Sequence, residues 1–555
     1  MHDSETTPPE REPEAREVWA PRACAVIGLL LALVYLFVPD AGPGDFCVDD
    51  AWIHLAYAKS LRLGDGLSYN PGDWETGFSS PLWVVLLAAW PTEPDPVVSV
   101  KLLGALLHGC VAGLSSALAL ELARRRATLE RPVPVLSIAL LAGILAATAP
   151  TLLQSAGSGM EIGLTATLLL ATVLASVREQ WLLAAILAFL AQLARPEALF
   201  FLGTFAALSA VLPQPPSAST SEGADASPWR RRALALSPAL GAGAAMLAWI
   251  FYCQAVSGYP WPNTAYVKAD LGDASLGGGL DYLGAQVLPW QPWVIGLGGG
   301  MALIAAALWT DLSGRGVLER DAEGQGEPAE APTSGALTRH WQLLALLLAW
   351  AAGLVATAAS RPLDPGILFY QSRYFAIFAA LPPVLIALGV ARTHKLLVVA
   401  LLLPVAVFTG LQVTEVRALQ RAQERGVALL HGDPAQQLRE QFPADAVIAV
   451  EGAGAARYRT PRTMTIVDII GLNDAEVAHA DGDADKACVI ARRRPDAFVL
   501  PDHIAAALSK VFVLRPLAEF EDARWAQIEE PREVRVLLLA VDGVHPHWAA
   551  RCELD

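Results

Sequence analysis

The chain has 555 residues, of which 54% are hydrophobic and 17% charged, and its mean hydropathy is +0.40. An ordinary soluble domain is about a quarter charged, so this composition excludes a soluble globular protein and points to many membrane passages. The formal net charge of -15 excludes a nucleic-acid partner, which would need a basic stripe.

In chain order, residues 1–22 are rich in Glu, Pro and Arg and read as a disordered cytoplasmic tail. The apolar run 23–38 follows Arg16 and Arg22 and ends at Pro39-Asp40 without a small-x-small cleavage pattern, so it reads as an uncleaved signal anchor. Residues 39–98 then form a long outer loop. It carries two adjacent carboxylates, Asp49 and Asp50, just beyond the first span. Charge beside hydrocarbon is costly, so the pair is either a solvated helix start or a reaction centre at the membrane surface. On a helix, Asp50, His54 and Tyr57 share one face at i, i+4 and i+3 spacing. The run 80–91, with Trp83 and Trp90, is too short to span and suits a helix lying at the interface.

Further apolar runs at 99–122, 133–150, 161–177, 181–194, 197–212, 233–256, 291–310, 341–358, 374–391 and 396–413 bring the spans to about eleven. Several fall short of the roughly 20 residues that a bilayer requires. With the N-terminus in the cytoplasm, Arg124-Arg125-Arg126, Arg178, Arg230-Arg231-Arg232, Arg315, Arg320, Arg339, Arg392 and Lys395 all fall on the cytoplasmic side, as the positive-inside rule requires. The low-complexity segments 213–228 and 319–336 are cytoplasmic loops in the same scheme. The outer side collects Asp49-Asp50, Met160-Glu161, Arg195-Pro196-Glu197, Trp261-Pro262-Asn263 and Ser372-Arg373-Tyr374. A transporter would place its ionisable groups near the bilayer midplane instead, so these clusters suggest an active site at the outer leaflet.

After Leu411 the composition becomes mixed. Strand-like runs at 446–450, 463–470, 497–500 and 534–541 alternate with helical stretches such as 417–430 and 433–441, which predicts an α/β domain over 414–555 on the outer side. The segment E-G-A-G-A-A at 451–456 follows a predicted strand but lacks dinucleotide-loop spacing. Asp468 and Asp474 sit at a strand end, as ligand contacts or as turn caps. The six cysteines show no C-x-x-C spacing, which argues against zinc. Cys488 and Cys552 share the last domain and are a disulfide there or two free thiols.

Several blocks in order carry a family resemblance: D-D-A-W-I-H-L-A-Y-A, N-P-G and G-F-S-S-P-L-W between Asp49 and Trp83, then S-G-M-E, A-R-P-E-A-L, W-P-N-T-A-Y-V-K, S-R-Y-F and V-D-I-I-G-L-N-D. The chain resembles the GT-C membrane glycosyltransferases over most of its length, and especially a bacterial branch that includes the terminal arabinofuranosyltransferases. The resemblance implies a polytopic α-helical membrane protein of the cell membrane, GT-C-like over 23–413, with an extracytoplasmic α/β domain. It implies transfer of a hexosyl or pentosyl group from a polyprenyl-phosphate donor to an envelope glycan, lipid or protein on the outer face. A lipid-linked sugar transporter or flippase, and a non-catalytic envelope-assembly subunit, are the competing readings.

The resemblance also implies roles. Asp49 is the base that takes the acceptor proton, unless it only caps its helix, and Asp50 supports it together with His54 and Tyr57. From their place at the outer face rather than from the resemblance, Arg373 reads as a grip on the donor phosphate or as an interfacial anchor and Lys268 as a second phosphate ligand, while Glu161, Asn263 and Tyr374 lie on the substrate side. Arg195 reads as an internal ion pair with Glu197. No metal is assigned, and a divalent cation is left open.

Overall fold

The computed structural model describes residues 15–37, 44–125, 134–212, 228–268, 276–287, 332–360, 363, 369–390, 395–527 and 532–554. The predicted span 291–310, most of the loops 213–228 and 319–336, the first 14 residues, and Arg126, Arg315, Arg320 and Arg392 lie outside them.

The first helix, α1 (Ala15–Phe37), precedes the loop expected on the outer side, which folds as α2 (Asp50–Leu63) and α3 (Pro81–Ala89). Helix α2 stops where Gly64 takes φ 89 and returns its N–H to the carbonyls of Leu61 and Ser60. Trp52, Tyr57 and Trp83 are among the largest fully buried side chains of the chain. Trp83 donates its indole N–H to the carbonyl of Gly159 at 3.1 Å. The run 80–91 is therefore a helix, as predicted, but Trp83 packs it against the bundle and is not a surface anchor.

The bundle continues with α4 (Pro96–Arg124), α5 (Val135–Thr148), α6 (Pro150–Gly157), α7 (Ile162–Val177), α8 (Trp181–Ala194), α9 (Ala198–Val211), α10 (Pro228–Leu234) and α11 (Ser237–Ser257). After the short α12 (Asn263–Lys268) come α13 (Leu276–Val287), α14 (Pro332–Ala359), α15 (Phe369–Ala376) and α16 (Leu381–Val390). Among the described residues, 4 helices are long and apolar enough to cross a membrane, and 5 if α5 and α6, bent by 51°, form one broken span. The predicted span 374–391 divides at residues 377–380. Pro382 and Pro383 explain the break, because proline opens a helix readily but cannot continue one. At the opposite end, the predicted cytoplasmic arginines meet acidic partners: Arg125 and Arg178 both reach Glu121 at 3.1 Å, and Arg231 reaches Glu179 at 2.5 Å.

Helix α17 (Lys395–Val427) runs unbroken through the boundary predicted at 413/414. The composition turns polar there, but Glu, Arg, Gln, Leu and Ala are all good helix formers, so the helix carries on. A buried ion pair anchors it: Lys101 Nζ lies 2.6 Å from Glu424 Oε1, both side chains at most 2% exposed. Gln420 joins the pair by donating to Glu424 Oε1 and accepting the Tyr35 hydroxyl, each at 2.8 Å. The helix then passes through a π turn (Ala428–Gly432) into α18 (Asp433–Gln441).

The terminal domain is a five-stranded mixed sheet in the order β2-β1-β3-β5-β4. Strands β1 (Val447–Val450), β2 (Thr465–Asp468) and β3 (Ala497–Pro501) are parallel, linked through α19 (Ala453–Arg459), α20 (Ala475–Ala478) and α21 (Gly482–Arg492). After α22 (Asp502–Leu508), β4 (Phe512–Trp525) and β5 (Arg532–Val544) form an antiparallel hairpin, with β5 paired to β3, and α23 (Pro546–Arg551) follows. Strand β4 escapes prediction because it is an edge strand. It tolerates Pro516 at a register shift and alternates charge along its open side. Cys488 and Cys552 form a disulfide that ties α21 to the chain end.

Candidate active site

The acidic pair lies where α2 meets the terminal domain, and its two members are bound differently. Asp49 precedes α2 but makes no side-chain cap to it. Its carboxylate turns to α19, where Oδ2 accepts the N–H of Gly454 at 2.7 Å and Oδ1 the N–H of Ala455 at 2.9 Å. The E-G-A-G-A-A segment is thus a carboxylate clamp, and Gly454 is required by contact: a β-carbon there would run into the carbonyl and carboxylate of Asp49. The N-cap reading of Asp49 is corrected accordingly, since it caps a helix in another domain.

Asp50 is the node of the site. Its Oδ2 receives Lys268 Nζ and Arg373 Nη2, each at 2.6 Å, while no described residue donates to Oδ1. The side chain is 15% exposed. Burial would raise its pKa, but the Lys268 ammonium and the Arg373 guanidinium outweigh burial and hold the carboxyl well below the usual carboxylate range. His54, one turn along, donates from Nδ1 to the backbone carbonyl of Asp50 at 3.0 Å and makes no bond to its carboxylate. Its Nε2 is buried without a hydrogen-bond partner among the described residues. Burial holds the ring below the usual histidine range, so Nε2 is a bare acceptor beside the node.

A second charged group lies behind the first. Arg195 Nε is 2.7 Å from Glu161 Oε1 and its Nη1 is 3.4 Å from Glu197 Oε1, with all three side chains nearly fully buried. The internal ion pair expected for Arg195 is present, with Glu161 as its nearer partner. Tyr374 offers its ring to two guanidiniums, Arg195 at 5.1 Å and Arg373 at 5.5 Å, and so joins the two groups.

Lys268 owes its position to both ends of α12. At one end the Asn263 amide donates to Glu75 Oε2 at 2.8 Å, and its backbone N–H donates to Thr76 Oγ1 at 3.1 Å. On the same helix Tyr266 meets His479 edge-on at 4.5 Å, and His479 stacks on Tyr259 at 3.4 Å. Asn263 is therefore a clip between the outer loop and α12. Tyr57, expected beside Asp50 and His54, points the other way, donating to Asn473 Oδ1 at 3.0 Å. Asp468 accepts the N–H groups of Ile470, Gly471 and Asn473 and the Asn473 amide, so it builds the turn that holds Asn473. Asp474 caps α20 through the N–H of Val477 at 3.1 Å.

Sequence reading missed two carboxylates at this seam. Glu75 accepts the N–H of Ala475 at 3.1 Å as well as the Asn263 amide, and burial pushes its pKa up to about 7. Glu451, the first residue of the clamp segment, feels Asp49, Asp50, His431 and His503, and burial pushes its carboxyl up. Its signal was a carboxylate at the carboxyl end of a parallel strand, where α/β sheets bind ligands. Among the described residues no group of three His, Cys, Asp or Glu side chains is placed to hold a metal ion.

Residues 416–543 match a family described as a domain of unknown function, DUF8728. No curated protein sequence matches the chain. The structure is similar to that of ArnT from Cupriavidus metallidurans in the apo state, at 13% identity over 94% of this chain and 98% of that one, with a TM-score of 0.52. ArnT bound to undecaprenyl phosphate matches at 14% identity over 94% and 97%, with a TM-score of 0.51. An oligosaccharyltransferase from Archaeoglobus fulgidus aligns at 13% identity over 89% and 71%, with a TM-score of 0.46. The chain therefore shares the fold of ArnT, as a multi-pass membrane protein with a terminal sheet domain.

Proposed function

We propose that this protein transfers a sugar from a polyprenyl-phosphate donor to an acceptor hydroxyl of the cell envelope, on the outer face of the membrane. The observation that carries this reading is the meeting of Lys268 and Arg373 on one oxygen of Asp50, in a fold shared with an enzyme known bound to undecaprenyl phosphate. Two cations on one carboxylate oxygen make a site that a phosphate oxygen can enter by exchange, because phosphate and carboxylate accept the same charge-assisted bonds. Donor binding moves Lys268 and Arg373 onto the phosphate, and Asp50, relieved of both, regains basicity.

The reaction then balances in one displacement. The acceptor oxygen forms a bond to the sugar C1 as the C1–O(phosphate) bond breaks. The electron pair leaves on the phosphate, where the two cations stabilise it, and the acceptor proton passes to Asp50. Both oxygens of Asp49 already accept backbone N–H groups, so the base role that the resemblance gives it passes to Asp50, and Asp49 positions its neighbour. His54 Nε2 is a ready acceptor for a sugar hydroxyl, while Tyr374 packs its ring against Arg373 and Glu161 holds Arg195 behind it.

The test is transfer by the purified protein in nanodiscs from a panel of polyprenyl-phosphate pentoses and hexoses, with released polyprenyl phosphate as the readout. Release from at least one donor, lost in Asp50→Asn, supports the proposal. Binding of polyprenyl phosphate by neither the wild type nor any variant would sink it, and leave the flippase and assembly-subunit readings in its place.

A further inference from the structure

A second recess opens on the other end of α2, nine residues past Asp50 and roughly 13 Å along the helix at 1.5 Å per residue. Lys59, Ser60 and Tyr69 line it together with Arg457, Tyr458 and Arg462, so the terminal domain supplies a third of the wall and the loop that carries α2 the rest. None of its lining comes from the long apolar helices, and its apolar wall is limited to Ala56, Leu63 and Pro71.

The charge here opposes that of the whole molecule. In a chain of net charge -15, Lys59, Arg457 and Arg462 share one recess, where Asp65 pairs with Arg462 and Glu93 acts on Lys59 without an ion pair among the described residues. Lys59 Nζ donates to the Tyr458 carbonyl at 3.2 Å and sits 4.8 Å over the Tyr458 ring. No described carboxylate forms an ion pair with it, and two of its three N–H donors remain to be used. Burial first, and then Arg457, holds the Lys59 pKa below the usual lysine range. Arg457 is buried and spent on the carbonyls of Met464 and Pro461 and on Asn70, so it adds positive potential from below without needing to move. Arg462 stands 44% exposed at the rim, with Nη2 bonded to Asp65 and no other hydrogen bond to a described residue.

We infer that this recess binds an anionic saccharide, through a carboxylate or phosphate group gripped by Lys59 from inside and Arg462 from the rim. Its place on the same helix as Asp50, roughly 13 Å away, makes it the holding site for the acceptor. The word acceptor rests on the glycosyltransferase reading, whereas the binding of an anionic saccharide does not.

The test uses the full-length protein in neutral detergent and equilibrium binding of trigalacturonate, its methyl ester and mannose 6-phosphate. Trigalacturonate or mannose 6-phosphate should bind, the methyl ester at least about tenfold more weakly, and Lys59→Gln and Arg462→Gln should each cost roughly tenfold. Binding should also fall with salt, because the rim is exposed. Arg462→Gln keeps the test open if Lys59→Gln disturbs the seam, and binding of polyprenyl phosphate at Asp50 is the control that should not move. Equal binding of acid and ester, unchanged affinity in both variants, or preference for anionic lipid nanodiscs over either saccharide would overturn the inference. Anionic saccharide binding without transfer from any donor would leave the inference standing and remove only the glycosyltransferase reading.

Discussion

Asp49 and Asp50 are neighbours in sequence, yet one is held by amides and the other by cations. That contrast gives variants of opposite sign. Lys268→Gln and Arg373→Gln each remove a charge-assisted bond to the donor phosphate, so donor affinity should drop roughly tenfold to hundredfold. Asp50→Asn removes the internal competitor for those cations, so donor affinity should hold or rise while turnover falls about a hundredfold or more, the usual effect of losing a general base. Titrating polyprenyl phosphate against the three purified variants checks both signs. A parallel loss of donor binding in Asp50→Asn would end the exchange scheme. Gly454→Ala tests the clamp: its new methyl group collides with Asp49, so transfer should be lost while the terminal domain keeps its fold, which limited proteolysis and activity together would reveal.

At the scale of elements, the helices and the parallel strands were legible because their apolar periodicity is local. Strand β4 and the continuity of α17 were not, since an edge strand needs few apolar residues and a composition change does not end a helix. The site was half legible for the same reason. Residue types near Asp50, Lys268 and Arg373 pointed to anion chemistry, but which partner each carboxylate chooses is a tertiary fact. Nothing in D-D predicts that the first Asp reaches Gly454, 405 residues away. Nor does W-E-T reveal that Glu75 joins three elements. Glu75 does carry a measurable consequence. Burial raises it from 4.5 to about 7 against the opposing pull of the Ala475 N–H and the Asn263 amide, with Asp73 and Asp474 adding to the rise, so the folded seam binds that proton more tightly than the unfolded chain. Its contribution to stability is thus complete below about pH 4.5 and is lost as pH rises through about 7. The hydrogen-exchange protection factors of residues 473–480 should fall across that window in the wild type and stay nearly flat in Glu75→Gln.

On the scale of the whole molecule, the site and the terminal domain cannot lie on opposite sides of the membrane. Asp49 accepts bonds from α19, and Tyr57 and Glu75 bond to Asn473 and Ala475, so the outer loop and the sheet form one body. The ion pairs of Arg125, Arg178 and Arg231 gather at other loops, and arginine-rich loops stay in the cytoplasm. The Cys488–Cys552 disulfide favours an oxidising compartment for the sheet domain. These arguments come from different parts of the chain and support the same proposed orientation, with the sheet domain outside. Lys510→Cys, on the exposed face of the sheet domain, should react with an impermeant maleimide in intact cells, while Arg125→Cys should react only after permeabilisation, each against the wild-type background. The reverse pattern would place Asp50 and its cations at the inner leaflet. The donor would then have to be met before any flipping step, and the acceptor could not be a finished envelope polymer.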